Sequence, residues 1–198
     1  MLRVGITGGI GSGKTTACRI FTVLGIPVYN ADSEAKRLYD TNEALKAAIK
    51  QTFGEHLYPN GNFSAEVMRD LLKQKPDQLP VLNALVHPKV KEHSENWFNV
   101  QTTPYAIKES ALLVESLAYR QLHKTILVSA PETIRFKRIQ HRDSISVSDI
   151  EFRMKHQFTD EQKRSYCDYE LVNDELQALI PQVLKLHEEL TQQAHLTP

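Results

Sequence analysis

The feature that most constrains this chain is an octapeptide near its start, Gly8-Gly-Ile-Gly-Ser-Gly-Lys14-Thr15. It fits the pattern G-x-x-x-x-G-K-[S/T], and its surroundings matter as much as its letters. Ahead of it, Leu2 to Ile6 is a short apolar run that reads as a buried strand. Behind it, Lys14 to Leu24 is rich in helix formers and is closed by Gly25. A strand running through a glycine loop into a helix brings backbone N–H groups together at the positive end of the helix dipole, which is a site for phosphate. Bulky Cβ atoms would obstruct that convergence, and some positions need φ > 0, so glycine is the residue the chemistry asks for. Lys14 can bridge the β- and γ-phosphates, and the Thr15 hydroxyl can bind Mg²⁺. At ordinary residue frequencies the bare pattern arises by accident in roughly one chain of this length in 150. Its strand–loop–helix setting lowers that figure further.

The rest of the sequence is consistent with a parallel sheet covered on both faces. Strand character recurs at Ile26–Tyr29, Tyr105–Lys108, Thr125–Val128 and Tyr169–Val172, with helical stretches between. From Ala44 to Val100 no strand is expected. Helical segments over 65–73, 79–86 and 88–100, around an Asn60-Gly61 turn, make this a mostly helical insertion. Further helices are expected from Ser129-Ala-Pro-Glu132, where capping-box spacing meets an early proline, from Ser146-Val-Ser-Asp149, and from Leu176 to Leu190.

Composition narrows the function classes. The 198 residues carry 24 Lys+Arg against 24 Asp+Glu. That balance argues against a general nucleic-acid binder or an anionic-membrane binder. Apolar runs are too short for a membrane span, and the N-terminal run lacks a signal peptide's long apolar segment. Cys18 and Cys167, the two cysteines, form neither a disulfide framework nor a metal-binding spacing, so a reducing cytoplasm is expected.

Phosphate loops serve GTPases, motor ATPases and small-molecule kinases. The Asn-Lys-x-Asp and Asp-x-x-Gly motifs of a GTPase do not occur here. A motor usually sets an acid after an apolar strand; the strand at 125–128 runs into Ser129, and Glu109 after 105–108 is the better candidate. Two features favour a kinase. Asp32 follows the second strand, at the sheet edge where open α/β folds bind ligands, and can accept or orient the proton of an attacking hydroxyl. It could equally cap the helix from Ser33 to Tyr39. Arg135, Arg138 and Arg142 share one helical face and can surround a transferring phosphoryl group, or form a solvated face paired with Glu132 and Asp143.

Taken together, Gly5-Ile-Thr-Gly-Gly-Ile-Gly-Ser-Gly-Lys-Thr15, Asn30-Ala-Asp32, Leu82-Asn-Ala-Leu-Val-His-Pro88, Leu112-Leu-Val-Glu115, Arg138 to Arg142, Gln157, and Asp168 with Asn173 resemble the dephospho-coenzyme A kinases. The resemblance implies an α/β P-loop kinase fold with a five-stranded parallel sheet. Around a core of about 1–43, 101–137 and 166–198 it implies a helical acceptor-binding insertion (about 44–100) and a helical lid (about 138–165). It implies transfer of the ATP γ-phosphoryl group, with Mg²⁺, to the ribose 3′-hydroxyl of dephospho-coenzyme A. Gly9, Gly11, Ser12, Gly13, Lys14, Thr15 and Thr16 would bind ATP together with Arg138 and Arg142. Thr15 would hold the metal, and Asp32, Lys14 and Arg142 would be catalytic. Asp32, His87 and Glu115 would meet the acceptor, with His87 in core packing and Glu115 in helix ordering as alternatives. The chain departs from the family pattern at Ala111 and Ser129, where proline and aspartate are common. An arginine often found near residues 61–65 is also absent, so one acceptor contact is either missing or supplied by Arg69.

Overall fold

Strand β1 (Leu2–Thr7) lies in the middle of a five-stranded, all-parallel sheet whose order is β2 (Val28–Asn30), β3 (Tyr105–Glu109), β1, β4 (Lys124–Ser129), β5 (Tyr169–Val172). The structure, a computed structural model, describes residues 1–143, 150–151, 154–155 and 157–196. Leu2 pairs with Tyr105 and Ile6 with Glu109, so the carboxyl ends of β1 and β3 finish level. The three central strands, β1, β3 and β4, are buried on both faces, whereas the edge strands β2 and β5 are only partly buried. On one face Val4, Ile6, Tyr105, Ile107, Ile126 and Val128 pack with Ala17 and Phe21 of α1 (Lys14–Val23) and with Val183, Leu186 and Leu190 of the closing helix (Leu179–Leu196). The expected strands lie within two residues of the observed ones. The closing helix begins three residues later than expected and runs on to Leu196.

The chain divides into two compact units, Met1–Asn30 with Trp97–Pro198, and Ala31–Asn96. The second contains α2 (Ala31–Thr41), α3 (Glu43–Phe53), α4 (Ala65–Gln74) and most of α5 (Gln78–Asn99). Asn42 caps α3 by accepting from Leu45 N–H, and Ser64 caps α4 through Val67 N–H. Its own core joins Leu38, Leu45, Ile49, Leu57, Met68, Leu82 and Val86, and Tyr39 stacks on Phe63 at 4.1 Å.

Two expectations are corrected. The His87-Pro88 pair does not end a helix; α5 runs through it for 22 residues. An internal proline costs about 3 kcal/mol, but Leu82, Leu85 and Val86 before it and Val90 after it pack on the same core. Burying apolar side chains at about 1.5–3 kcal/mol each outweighs one missing hydrogen bond. Asp32 is not an N-cap: α2 already starts at Ala31, and Asp32 is an acidic residue of its first turn. After β4 come α6 (Glu132–Asp143) and a short α7 (Asp160–Arg164) before β5; the closing helix is α8. The helix start expected at Ser146–Asp149 lies outside the described residues, as does the side chain of Arg142.

Candidate active site

The phosphate loop joins β1 to α1. The first intrahelical bond of α1 runs from Ala17 N–H to Gly13 O at 3.1 Å. The amides that precede it open the helix end where anions bind. Gly11 and Gly13 take φ +80° and +97°, which bend the loop back on itself. Lys14 is buried, and its Nζ donates to Gly8 O at 2.8 Å and Gly9 O at 3.2 Å, so the ammonium lies across the loop's own carbonyls. Thr15 and Thr16 are exposed at the loop's exit, whereas Ser12 is fully buried. Ser12 donates its N–H to Gly9 O, and its hydroxyl has no partner among the described residues.

Beside the loop, a carboxylate rises from β3. Glu109 continues the face that Tyr105 and Ile107 bury against α1. Its Oε1 accepts from the Thr15 hydroxyl at 2.9 Å, and its Oε2 accepts from Asn30 Nδ2 at 2.8 Å. The buried Cys18 thiol also hydrogen-bonds Glu109, and burial followed by that carboxylate pushes its pKa well up, so it stays protonated. Among the described residues no cluster of three or more His, Cys, Asp or Glu side chains could hold a metal alone. A threonine hydroxyl beside a carboxylate is a hard-oxygen donor set, which fits Mg²⁺ completed by phosphate oxygens.

Much of the loop's glycine content answers to what lies behind it. A Cβ on Gly9 would overlap the Arg135 guanidinium of α6, and one on Gly11 would meet Arg135 O at 2.6 Å and Ile139 Cγ1 at 2.9 Å. A Cβ on Gly13 would overlap Asn173 Nδ2, which donates to Ser12 O at 2.8 Å. Arg135 is buried; its Nε donates to Ile10 O at 3.0 Å, and its Nη1 lies 3.4 Å from Asp160 Oδ1. Gln157 Oε1 accepts from Ile10 N–H at 2.8 Å. Arg138, half-buried, reaches Glu175 at 3.2 Å and Asn173 O at 3.2 Å beside the loop.

Lys163, fully buried, pairs with the partly buried Glu115 at 3.1 Å, and its Nζ also donates to Ala111 O at 2.6 Å. Glu115 Oε1 accepts from Phe158 N–H at 2.7 Å, and its Oε2 is buried without a partner among the described residues. In the helical unit, Asp32 is exposed on the first turn of α2, two residues past the end of β2. His87 is exposed on α5 and so is not a core residue; Arg69 is exposed on α4.

Against this geometry the comparisons with known proteins are unambiguous. The family model for dephospho-CoA kinases matches residues 2–178. This chain belongs to the dephospho-CoA kinase family. It is 32% identical over 195 residues to the dephospho-CoA kinase of Bacteroides fragilis, covering 98% of this chain and 95% of that one. It is 35% identical over 190 residues to that of Porphyromonas gingivalis, covering 95% and 94%. A crystal structure from Thermus thermophilus superposes with a TM-score of 0.80 at 27% identity, covering 97% of each chain. The dephospho-CoA kinase of Campylobacter jejuni gives 0.68 at 22% identity, covering 96% of this chain and 97% of that one, and so supports the fold.

Family membership makes the chain an ATP-dependent kinase of coenzyme A biosynthesis built on a P-loop kinase fold. Within that kinase fold the structure brings Lys14, Thr15, Arg138 and Glu109 around one loop. Sequence reasoning named Glu109 from its place just after the strand expected at 105–108, and the structure makes it the last residue of β3. It gave Arg135 no role different from its neighbours', and for Gln157 and Asn173 it had the resemblance alone. Their partners lie from 125 to 161 positions away in the chain, so no local spacing signals them. Among the described residues no helix is long and apolar enough to cross a membrane.

Proposed function

We propose that the chain transfers the γ-phosphoryl group of ATP to the ribose 3′-hydroxyl of dephospho-coenzyme A, giving coenzyme A and ADP. The observation that carries this reading is the Thr15–Glu109 pair at the mouth of a complete phosphate loop, in a chain matched by the dephospho-CoA kinase family over residues 2–178. Phosphoryl transfer needs positioning and charge balance more than covalent chemistry. Lys14 leaves the loop carbonyls for the β- and γ-phosphates, and the backbone amides of Gly11, Gly13, Thr15 and Thr16 donate to the remaining phosphate oxygens. Thr15 and Glu109 would hold Mg²⁺, which when bound spreads the developing phosphate charge.

Asp32 aligns the acceptor hydroxyl and takes its proton. Arg138 and Arg142 balance the transferring charge when the lid, about 138–165, closes. His87 lies on the acceptor-binding unit and contacts the acceptor. For Glu115 the geometry favours the ordering role, since Lys163 and Phe158 N–H occupy its Oε1. ATP and dephospho-coenzyme A are the partners, with neither nucleic acid nor membrane involved. The two free cysteines suit a reducing cytoplasm.

The test is acceptor-dependent ADP release with ATP and Mg²⁺, comparing dephospho-coenzyme A with AMP, adenosine and no acceptor. Release with dephospho-coenzyme A alone, and product phosphorylated at the 3′ position, is expected; release with another acceptor overturns the substrate assignment. Asp32→Asn should cut turnover by at least about 10²-fold with ATP affinity unchanged. Turnover within threefold of wild type removes Asp32 from the chemistry.

A further inference from the structure

The loop's apex is held from outside itself. Ile10 sits at the tip of the phosphate loop, and both its backbone polar groups are engaged by distant elements: its N–H by Gln157 Oε1 at 2.8 Å, its carbonyl by Arg135 Nε at 3.0 Å. Within an amide side chain only the oxygen can accept from a backbone N–H, so this contact fixes which way the Gln157 amide faces. We infer that Gln157 and Arg135 are positioning residues that hold the Ile10 peptide, so that ATP meets a loop already shaped for its phosphates and the Ile10 amide is not one of the phosphate donors. The inference rests on the reading that ATP phosphates occupy this loop.

Two observations and one physical argument support it. Gln157 is itself held in place, because the next residue, Phe158, donates its N–H to Glu115 at 2.7 Å and Asp160 accepts from Ala130 N–H at 3.1 Å. Arg135 is 7% exposed and paired with Asp160, so its guanidinium has a single seat, one that a side chain on Gly9 would occupy. A loop whose amides must converge on an anion loses conformational freedom on binding. Restraining its apex beforehand lowers that cost.

The experiment is residue-resolved amide exchange on the intact protein with and without ATP, together with ATP affinity by calorimetry. In nucleotide-free wild type, Ile10 is expected to be protected and to change little when ATP binds, whereas Gly11 and Gly13 gain protection only with ATP. Gln157→Ala should speed Ile10 exchange about five- to tenfold, the equivalent of one net hydrogen bond, leave the β1 and β4 amides unchanged, and weaken ATP binding by a similar factor. Gln157→Glu keeps an acceptor and should retain Ile10 protection.

Ile10 exchanging freely in wild type, or becoming protected only with ATP, overturns the inference without any variant. ATP affinity within twofold of wild type in Gln157→Ala also overturns it, reducing the contact to packing. If wild type fails to bind ATP while Ile10 stays protected, the kinase reading itself falls and the positioning role with it. That result is distinct from the others because the loop's own geometry survives.

Discussion

Lys163 and Arg164 stand side by side on α7, and each ends on a glutamate. Lys163 is fully buried, with its ammonium 3.1 Å from Glu115 and 2.6 Å from Ala111 O. Arg164 keeps 46% of its side chain exposed while it bridges Glu161 at 2.6 Å and Glu170 at 2.9 Å. Successive helical residues point about 100° apart, so one neighbour faces the interior and the other faces water. Arg164 has the more numerous contacts, but solvent and salt screen them, and an exposed pair is worth about 0–1 kcal/mol. The Lys163 pair is not a large net gain either, because both charges were desolvated to form it. Its importance lies in what is left behind if one partner is removed.

The widest gap between the two should open with Lys163→Ala. That variant leaves the Glu115 carboxylate buried without its cation, and stability should fall by about 3–5 kcal/mol. Thermal melting should drop by roughly 2–4 °C for each of those kcal/mol. A drop no larger than that of Arg164→Ala breaks the comparison. Neutralising both partners sharpens it: Lys163→Met with Glu115→Gln keeps an acceptor for Phe158 N–H and leaves no buried charge, so more than half of the single-variant loss should return. If the double variant is as unstable as Lys163→Ala, packing rather than charge governs the site.

Arg164→Ala should cost at most about 1 kcal/mol, and the difference should shrink in high salt. Hydrogen bonding from Arg164 holds the Glu170 carboxyl below its ordinary range, against an opposing effect of burial. The same variant should therefore return Glu170 toward ordinary titration, read by carbonyl chemical shift. The smallest effect comes from a cation that can be switched on. Burial, Arg3 and the N-terminal amine lower the pKa of His123, whose Nδ1 accepts from Arg3 N–H at 2.8 Å. The neutral ring is the folded form, so its contribution is complete above the unfolded value near 6.5 and is lost as the pH falls through the depressed folded value. Melting temperature should dip slightly on acidification from pH 7 to 5. His123→Asn, which keeps an acceptor in that place, should flatten the dip; an identical dip in the variant assigns it to another group.

The phosphate loop was legible because its signal is local: eight consecutive residues between a strand and a helix carry it. The strands were legible for the same reason, as short apolar runs bounded by turns. Pro88 was misread as a boundary because the apolar residues that outweigh its cost lie on the far side of a core no linear pattern displays. The glycines were read for phosphate approach alone, whereas Gly9 and Gly11 also make room for Arg135 and Ile139. Asp32 was open to reading as a cap because sequence alone places the helix start at Ser33, two residues later than Ala31, where α2 begins. Lys163, fully buried and paired with Glu115, gave no sign in sequence that distinguished it from Arg164 beside it.

The strand order has a consequence for how the protein is made. β1 is synthesised well before its two neighbours, β3 and β4, so Leu2 and Val4 wait for residues 105 and 124 before they pair. At about 5–20 residues per second a ribosome needs on the order of 6–25 s to reach the end of β4. The Ala31–Asn96 unit, whose core is drawn from its own residues, emerges within that interval. The nascent chain therefore carries an unpaired apolar strand for many seconds, and a chaperone that shields residues 2–6 acts before any nucleotide can.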